Sequence, residues 1–168
     1  MWRRIGLLLL GCAALSLSLF SQYDWWYYGK NKVMRQTFHW RVVQTEHFSI
    51  HHYLEGQDEL IRRIADTAEA SYRDLSEYLN IKVAKPIPLI YYASHIDFEQ
   101  TNIAGFLPPG VLAFAEPLNY RMVVQGDTAF SELSHTIRHE LGHIFEYEIL
   151  GPGILKTRPP LWLMEGFS

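Results

Sequence analysis

The apolar positions of the chain fall into short β-branched or aromatic runs and longer stretches of helical periodicity. Arg41-Val42-Val43-Gln44-Thr45 and His47-Phe48-Ser49-Ile50-His51 are of the first kind and predict a pair of strands. From Glu55 to Asn80 the spacing changes. Leu60, Ile61, Ile64, Ala68, Tyr72, Leu75 and Leu79 recur three or four positions apart, which predicts a long amphipathic helix. Pro86-Ile87-Pro88-Leu89-Ile90-Tyr91-Tyr92 predicts a buried strand with prolines where it begins. Pro108-Pro109-Gly110 predicts a turn. Val111–Ala115 and Tyr120–Val124 predict two more strands around Glu116-Pro117-Leu118-Asn119. Helical spacing then returns with Ile137, Leu141, Ile144 and Phe145. Asp127 or Ser131 is expected to cap this helix, which runs to about Glu148 before Gly151-Pro152-Gly153 ends it. Pro159-Pro160 precedes a last short apolar segment. The order is strand pair, helix, three strands, helix. It predicts an α+β domain with a mixed, mostly antiparallel sheet backed by helices.

The N-terminus is expected to stand outside this domain. Arg3 and Arg4 precede an uncharged apolar run from Ile5 to Phe20, the pattern of an export signal. The run is short for a spanning helix, which takes about 20 apolar residues, but Tyr23, Trp25 and Trp26 are placed to extend it at a membrane interface. A cleaved signal and an uncleaved signal-anchor both stay open. Either way the protein is expected to be exported, periplasmic or extracellular, touching a membrane through this segment if it is retained. Cys12, the one cysteine, lies in Leu9-Leu10-Gly11-Cys12, loosely a lipoprotein cleavage box, and a plain apolar residue in a signal helix explains it as well. The expected organisation is 1–21 as signal or anchor, 22–39 as an aromatic and polar linker, and 40–168 as one domain.

Composition narrows the function classes. With 168 residues, 48% of them hydrophobic, the chain can bury a core. Its formal net charge of −3 argues against nucleic acid as a partner.

The chemistry lies in His139-Glu140-Leu141-Gly142-His143. Residues four apart share one helix face, so His139 and His143 can aim both imidazoles at one point. This H-E-x-x-H spacing is that of zinc hydrolases. A catalytic zinc takes three protein ligands and keeps one position open for water. Glu165, in Trp162-Leu163-Met164-Glu165-Gly166, is the candidate for the third. Glu140 is the candidate general base. It would take a proton from water acidified to about 7 by the metal and deliver it to the leaving amine. The competing explanation is a chance pentapeptide on an amphipathic helix, and Glu165 before Gly166 can also be a helix-start carboxylate. Other groups carry weaker signals. His135 shares the face of His139, and a substrate contact competes there with a partly buried surface residue. Glu146 lies three residues past His143. It can orient that ligand, although a solvated helix face is the commoner outcome. A metal role is not expected for His47, His51 or His52, and Asp97 and Glu99 are expected in an exposed loop.

These residues resemble a family. Thr45-Glu46-His47-Phe48-Ser49-Ile50-His51-His52-Tyr53, Gly110-Val111-Leu112-Ala113-Phe114-Ala115-Glu116-Pro117, Arg121-Met122-Val123-Val124, Thr136-Ile137-Arg138-His139-Glu140-Leu141-Gly142-His143 and Pro160-Leu161-Trp162-Leu163-Met164-Glu165-Gly166 are similar to the bacterial peptidase-MA-like domains of the gluzincin zinc peptidases. The resemblance covers most of residues 40–168. It implies a zincin-like fold, a Zn2+ cofactor held by His139, His143 and Glu165, and Glu140 as base. It implies a peptide or protein substrate paired with an edge strand at Val111, Leu112, Ala113, Phe114 and Ala115. Relatives of this kind are often exported, and many carry a C-terminal β-propeller. They continue past the third ligand with a helical lower subdomain that supplies an oxyanion-stabilising Tyr or His. The chain therefore resembles the N-terminal portion of such a peptidase, with weak zinc affinity and little activity expected of it alone. The competing expectation is a non-catalytic binding or scaffold protein of the cell envelope.

Overall fold

The computed structural model describes residues 37–101, 107, 110–151 and 160–167. The apolar N-terminal run, Cys12, the greater part of the linker and Pro108-Pro109 lie outside them. Among the described residues no helix is long and apolar enough to cross a membrane.

Among the described residues, five strands form one sheet: β1 (Arg41–Gln44), β2 (Phe48–His52), β3 (Ile87–Tyr92), β4 (Ala113–Glu116) and β5 (Arg121–Gln125). Four described helices accompany them: α1 (Asp58–Leu79), α2 (His95–Phe98), α3 (Phe130–Leu150) and α4 (Leu161–Phe167). The architecture is α+β with a mixed sheet in the order β1-β2-β3-β5-β4. The expected preponderance of antiparallel pairing is corrected. The β1–β2 and β4–β5 ladders are antiparallel, but β2–β3 and β3–β5 are parallel. The reason lies in the connections. Helix α1 carries the chain from the end of β2 back to the start of β3, a crossover that makes the two strands parallel. Strand β5 then folds between β3 and β4, which leaves β4 on the edge.

Alternation along the strands separates two cores. Phe48, Ile50, Ile87, Leu89, Tyr91, Met122 and Val124 face α1 and α3. From α1 come Ile61, Ile64, Ala65, Ala68 and Tyr72, and from α3 Leu133, Ile137, Leu141, Ile144 and Phe145. On the opposite face a smaller cluster gathers Tyr92, Phe98 and Val123, with Phe38, Tyr53 and Phe114 packed against it. Phe38 lies 4.5 Å from Tyr53, ring to ring, so packing begins just ahead of the expected domain start at Trp40.

Helix ends follow local chemistry in some places and tertiary contacts in others. Asn80 closes α1 in the left-handed region (φ 54°), and its amide bonds the Glu77 carbonyl. Gly151, at φ 59°, closes α3 as expected. Neither Asp127 nor Ser131 caps α3. Its N-cap is Ala129, which makes no side-chain cap bond. Phe130 instead lies 3.8 Å beneath the Arg63 guanidinium of α1, a cation–π contact that ties the start of α3 to its neighbour.

Candidate metal centre

Helix α3 is buried on all sides from its middle to its penultimate turn. Every residue from Glu140 to Tyr147 is buried, because the sheet, α1, the edge strand β4 and α4 all pack against it. That enclosure gives the H-E-x-x-H segment its setting. His139 and His143 lie one turn apart with ring centroids 4.8 Å apart and planes at 83°. Helix α4 brings Glu165 up to them, anchored by Met164, which packs against the main core. Glu165 Oε2 lies 3.5 Å from His139 Nε2. One ligand atom from each of His139, His143 and Glu165 falls within 4.8 Å of the others.

This donor set suits a metal ion. Tetrahedral zinc holds its donors about 3.3 Å apart, given bonds of roughly 2.0–2.2 Å. The His139–Glu165 separation of 3.5 Å already matches that figure. The widest pair has to close by about 1.5 Å to reach it. The side chains of His139 and Glu165 are 40% and 52% exposed and have the freedom to do so.

Electrostatics set the protonation states. Burial pushes the His139 imidazole below its usual value, and the neighbouring His143 adds to this while Glu165 opposes it. The ring is thereby kept neutral, as a ligand must be. Glu140 is only 6% exposed. Burial pushes its carboxyl up to about 7, His143 pulls it down, Glu165 pushes it further up, and the main-chain N–H of Ala115 favours the charged form. A carboxyl poised near neutrality can both accept and return a proton. Burial also pushes Glu146 up, against the pull of its hydrogen bond with His143. Tyr147 is raised to about 12 by burial, followed by Glu140, Glu146, Glu116 and Glu165.

The edge strand touches this centre directly. Leu112 accepts from the Gln125 amide across 3.0 Å, so in the β4–β5 ladder the N–H and C=O of Ala113 and Ala115 point away from β5. At Ala115 both groups meet α3. The N–H faces Glu140, and the carbonyl accepts from the Tyr147 hydroxyl at 3.2 Å. Ala113 instead lines an open cleft of about 310 Å³ with Leu112, His135, Thr136, His139 and Glu140.

The sequence-derived residues therefore divide. His139, His143 and Glu165 converge on one point, and Glu140 shares the adjoining cleft with His139. Of the five edge-strand positions, Ala113–Ala115 lie in β4, while Val111 and Leu112 precede it. His135 is exposed on the cleft wall. Glu146 is the correction of consequence. It is 4% exposed, where a solvated face was the commoner expectation, and it pairs with His143 Nδ1 at 2.8 Å. Tyr147 went unread, although its spacing of four from His143 carried the same signal of a shared face. His47 bonds Glu69 through both its ring and its amide. Asp97 is not in a loop but in α2, where it accepts from the Tyr53 hydroxyl at 2.6 Å.

No family model, curated protein or solved structure matches the chain.

Proposed function

We propose that the protein is an exported zinc metallopeptidase of the gluzincin kind, with the sheet, α1 and α3 forming a zincin-like upper subdomain. The observation that carries this is the convergence of His139, His143 and Glu165 within 4.8 Å of one another, beside a buried carboxyl at Glu140. A zinc ion held by the three would polarise the scissile carbonyl and acidify the attacking water. The chain's own residues do the rest. Glu140, held by the Ala115 amide and poised near neutrality, takes the proton from the attacking water and returns it to the leaving amine. The outward N–H and C=O of Ala113 lie at the cleft and pair with an extended peptide, a backbone contact indifferent to side-chain sequence. Ala115 is not a pairing position, since α3 occupies both its main-chain groups. His135 meets whatever side chain passes over the cleft wall.

A cell-envelope binding protein built on the same fold is the competing function. It has no use for a buried carboxyl beside two imidazoles, because burying that group costs stability without a chemical return. The two are separated by zinc content together with cleavage of an unstructured protein substrate, measured on the full-length protein and on its Glu140→Gln variant. The peptidase requires stoichiometric zinc in both proteins and cleavage only in the wild type. Zinc without cleavage in the wild type points to binding alone, and cleavage by Glu140→Gln would remove Glu140 from the mechanism.

A further inference from the structure

His143 has two ring nitrogens, and the structure decides what one of them does. Nδ1 lies 2.8 Å from Glu146 Oε2, and the two side chains are only 11% and 5% exposed. With Nδ1 taken up by Glu146, an ion can bind only at Nε2, which needs the lone pair there and so puts the ring hydrogen on Nδ1, facing Glu146 Oε2. A neutral imidazole that is protonated at Nδ1 carries its lone pair on Nε2. The pair sits at i and i+3 of α3, on a stretch buried from Glu140 to Tyr147, so neither partner can turn to solvent without unpacking the helix. Tyr147, on the next position, lies nearly parallel to the His143 ring (14°, centroids 6.4 Å apart) and flanks it.

We propose that Glu146 is a positioning residue for the metal centre: by accepting the Nδ1–H of His143 it fixes the tautomer and the ring plane, and commits Nε2 to the ion. The inference rests on the metal-binding reading above and adds to it a fourth residue that never touches the metal. Its effect has two parts. The bond holds the ring in one orientation before the ion arrives, and the negative charge behind the ring strengthens Nε2 as a donor. A merely buried structural acid would do neither. It would change the stability of the metal-free fold and leave the affinity of the folded protein for zinc where it was.

The test compares zinc affinity, by competition with a chromophoric chelator, in the wild type, Glu146→Gln, Glu146→Ala and the exposed control Glu132→Gln, all confirmed folded by circular dichroism. Glu146→Gln keeps an acceptor but loses the charge, and Glu146→Ala loses both. The expected result is an affinity loss of about tenfold for Glu146→Gln and up to about a hundredfold for Glu146→Ala, with the control unchanged. If Glu146→Ala does not fold, the near-isosteric Glu146→Gln decides. Nitrogen NMR of the zinc-loaded wild type adds a signature that stability cannot mimic, a protonated Nδ1 and a metal-bound Nε2 on His143. Wild-type affinity in Glu146→Gln, or binding through Nδ1, would overturn the inference while leaving the metal centre standing. A wild type that takes up no zinc would sink the metal centre, and the role of Glu146 with it.

Discussion

The Tyr147 hydroxyl donates to the Ala115 carbonyl across 3.2 Å, and so ties the helix of the metal centre to the edge strand of the sheet. The amide of the same alanine faces Glu140, about two turns earlier on α3. One peptide position thus aligns the base of the proposed reaction with the strand proposed to hold the substrate. Tyr147→Phe removes the donor and leaves a partly buried carbonyl without that partner. The expected cost is about 1–2 kcal/mol, read as a lower urea midpoint. Zinc affinity should hardly change, because the hydroxyl donates to β4 and is no ligand. Unchanged stability would show that the tie carries nothing.

A second tie joins α1 to the start of β2. Glu69 of α1 accepts from the His47 amide at 2.8 Å and pairs with the His47 ring at 2.7 Å, while that ring stacks on Tyr72 at 3.8 Å. Burial alone would raise the Glu69 carboxyl. Bonds from Thr45 and from the ring and amide of His47 outweigh it and hold the group below the usual carboxylate value. A carboxyl lowered on folding adds stability that is complete above its unfolded value, near 4.5, and is lost as pH falls through the folded value. Urea unfolding at pH 7 and pH 3 should therefore show Glu69→Gln less stable than wild type by roughly 1–2 kcal/mol at pH 7 and close to it at pH 3. A gap that stays the same at both pH values would contradict the charge-based origin.

Gly126, where β5 leaves the sheet toward α3, is a steric requirement. A Cβ built there would lie 1.8 Å from the Tyr91 hydroxyl oxygen and 2.5 Å from the ring carbon that bears it. Tyr91 is 3% exposed and has no room to retreat. Gly126→Ala is expected to destabilise by about 1–3 kcal/mol, the usual cost of overpacking a filled interior. Adding Tyr91→Phe removes the nearest atom but not the ring, so thermal melting should show partial recovery. A neutral Gly126→Ala would mean that β5 can shift where the packing says it cannot.

Much of the fold is legible in the sequence wherever a single element decides. The apolar positions of α1 repeat at helical spacing because one face of that helix meets the sheet, and Ile61, Ile64, Ala68 and Tyr72 are buried as read. Strand order is not legible in this way. Placing β5 between β3 and β4 depends on which edges meet in space, and no local pattern in Tyr120–Val124 records it. Helix α2 has a local signal in the sequence. Ser94-His95-Ile96-Asp97 is a capping sequence, and Ser94 Oγ accepts from the Asp97 amide at 3.2 Å. The pairing of His139 with His143 follows from spacing alone. The burial of Glu146 does not, because it depends on β4 and α4 closing over a face of α3 that the sequence alone leaves open to solvent.

The most direct test of the metal centre is X-ray absorption at the zinc edge on the zinc-loaded protein, run beside His143→Ala and Glu165→Ala. The expected spectrum has two imidazole nitrogens at about 2.0–2.1 Å and oxygen donors at about 2.0–2.2 Å. One imidazole should vanish in His143→Ala, and the oxygen shell should change in Glu165→Ala. A wild-type spectrum without two imidazoles, or one that neither substitution alters, would place the ion elsewhere and contradict the centre built from His139, His143 and Glu165.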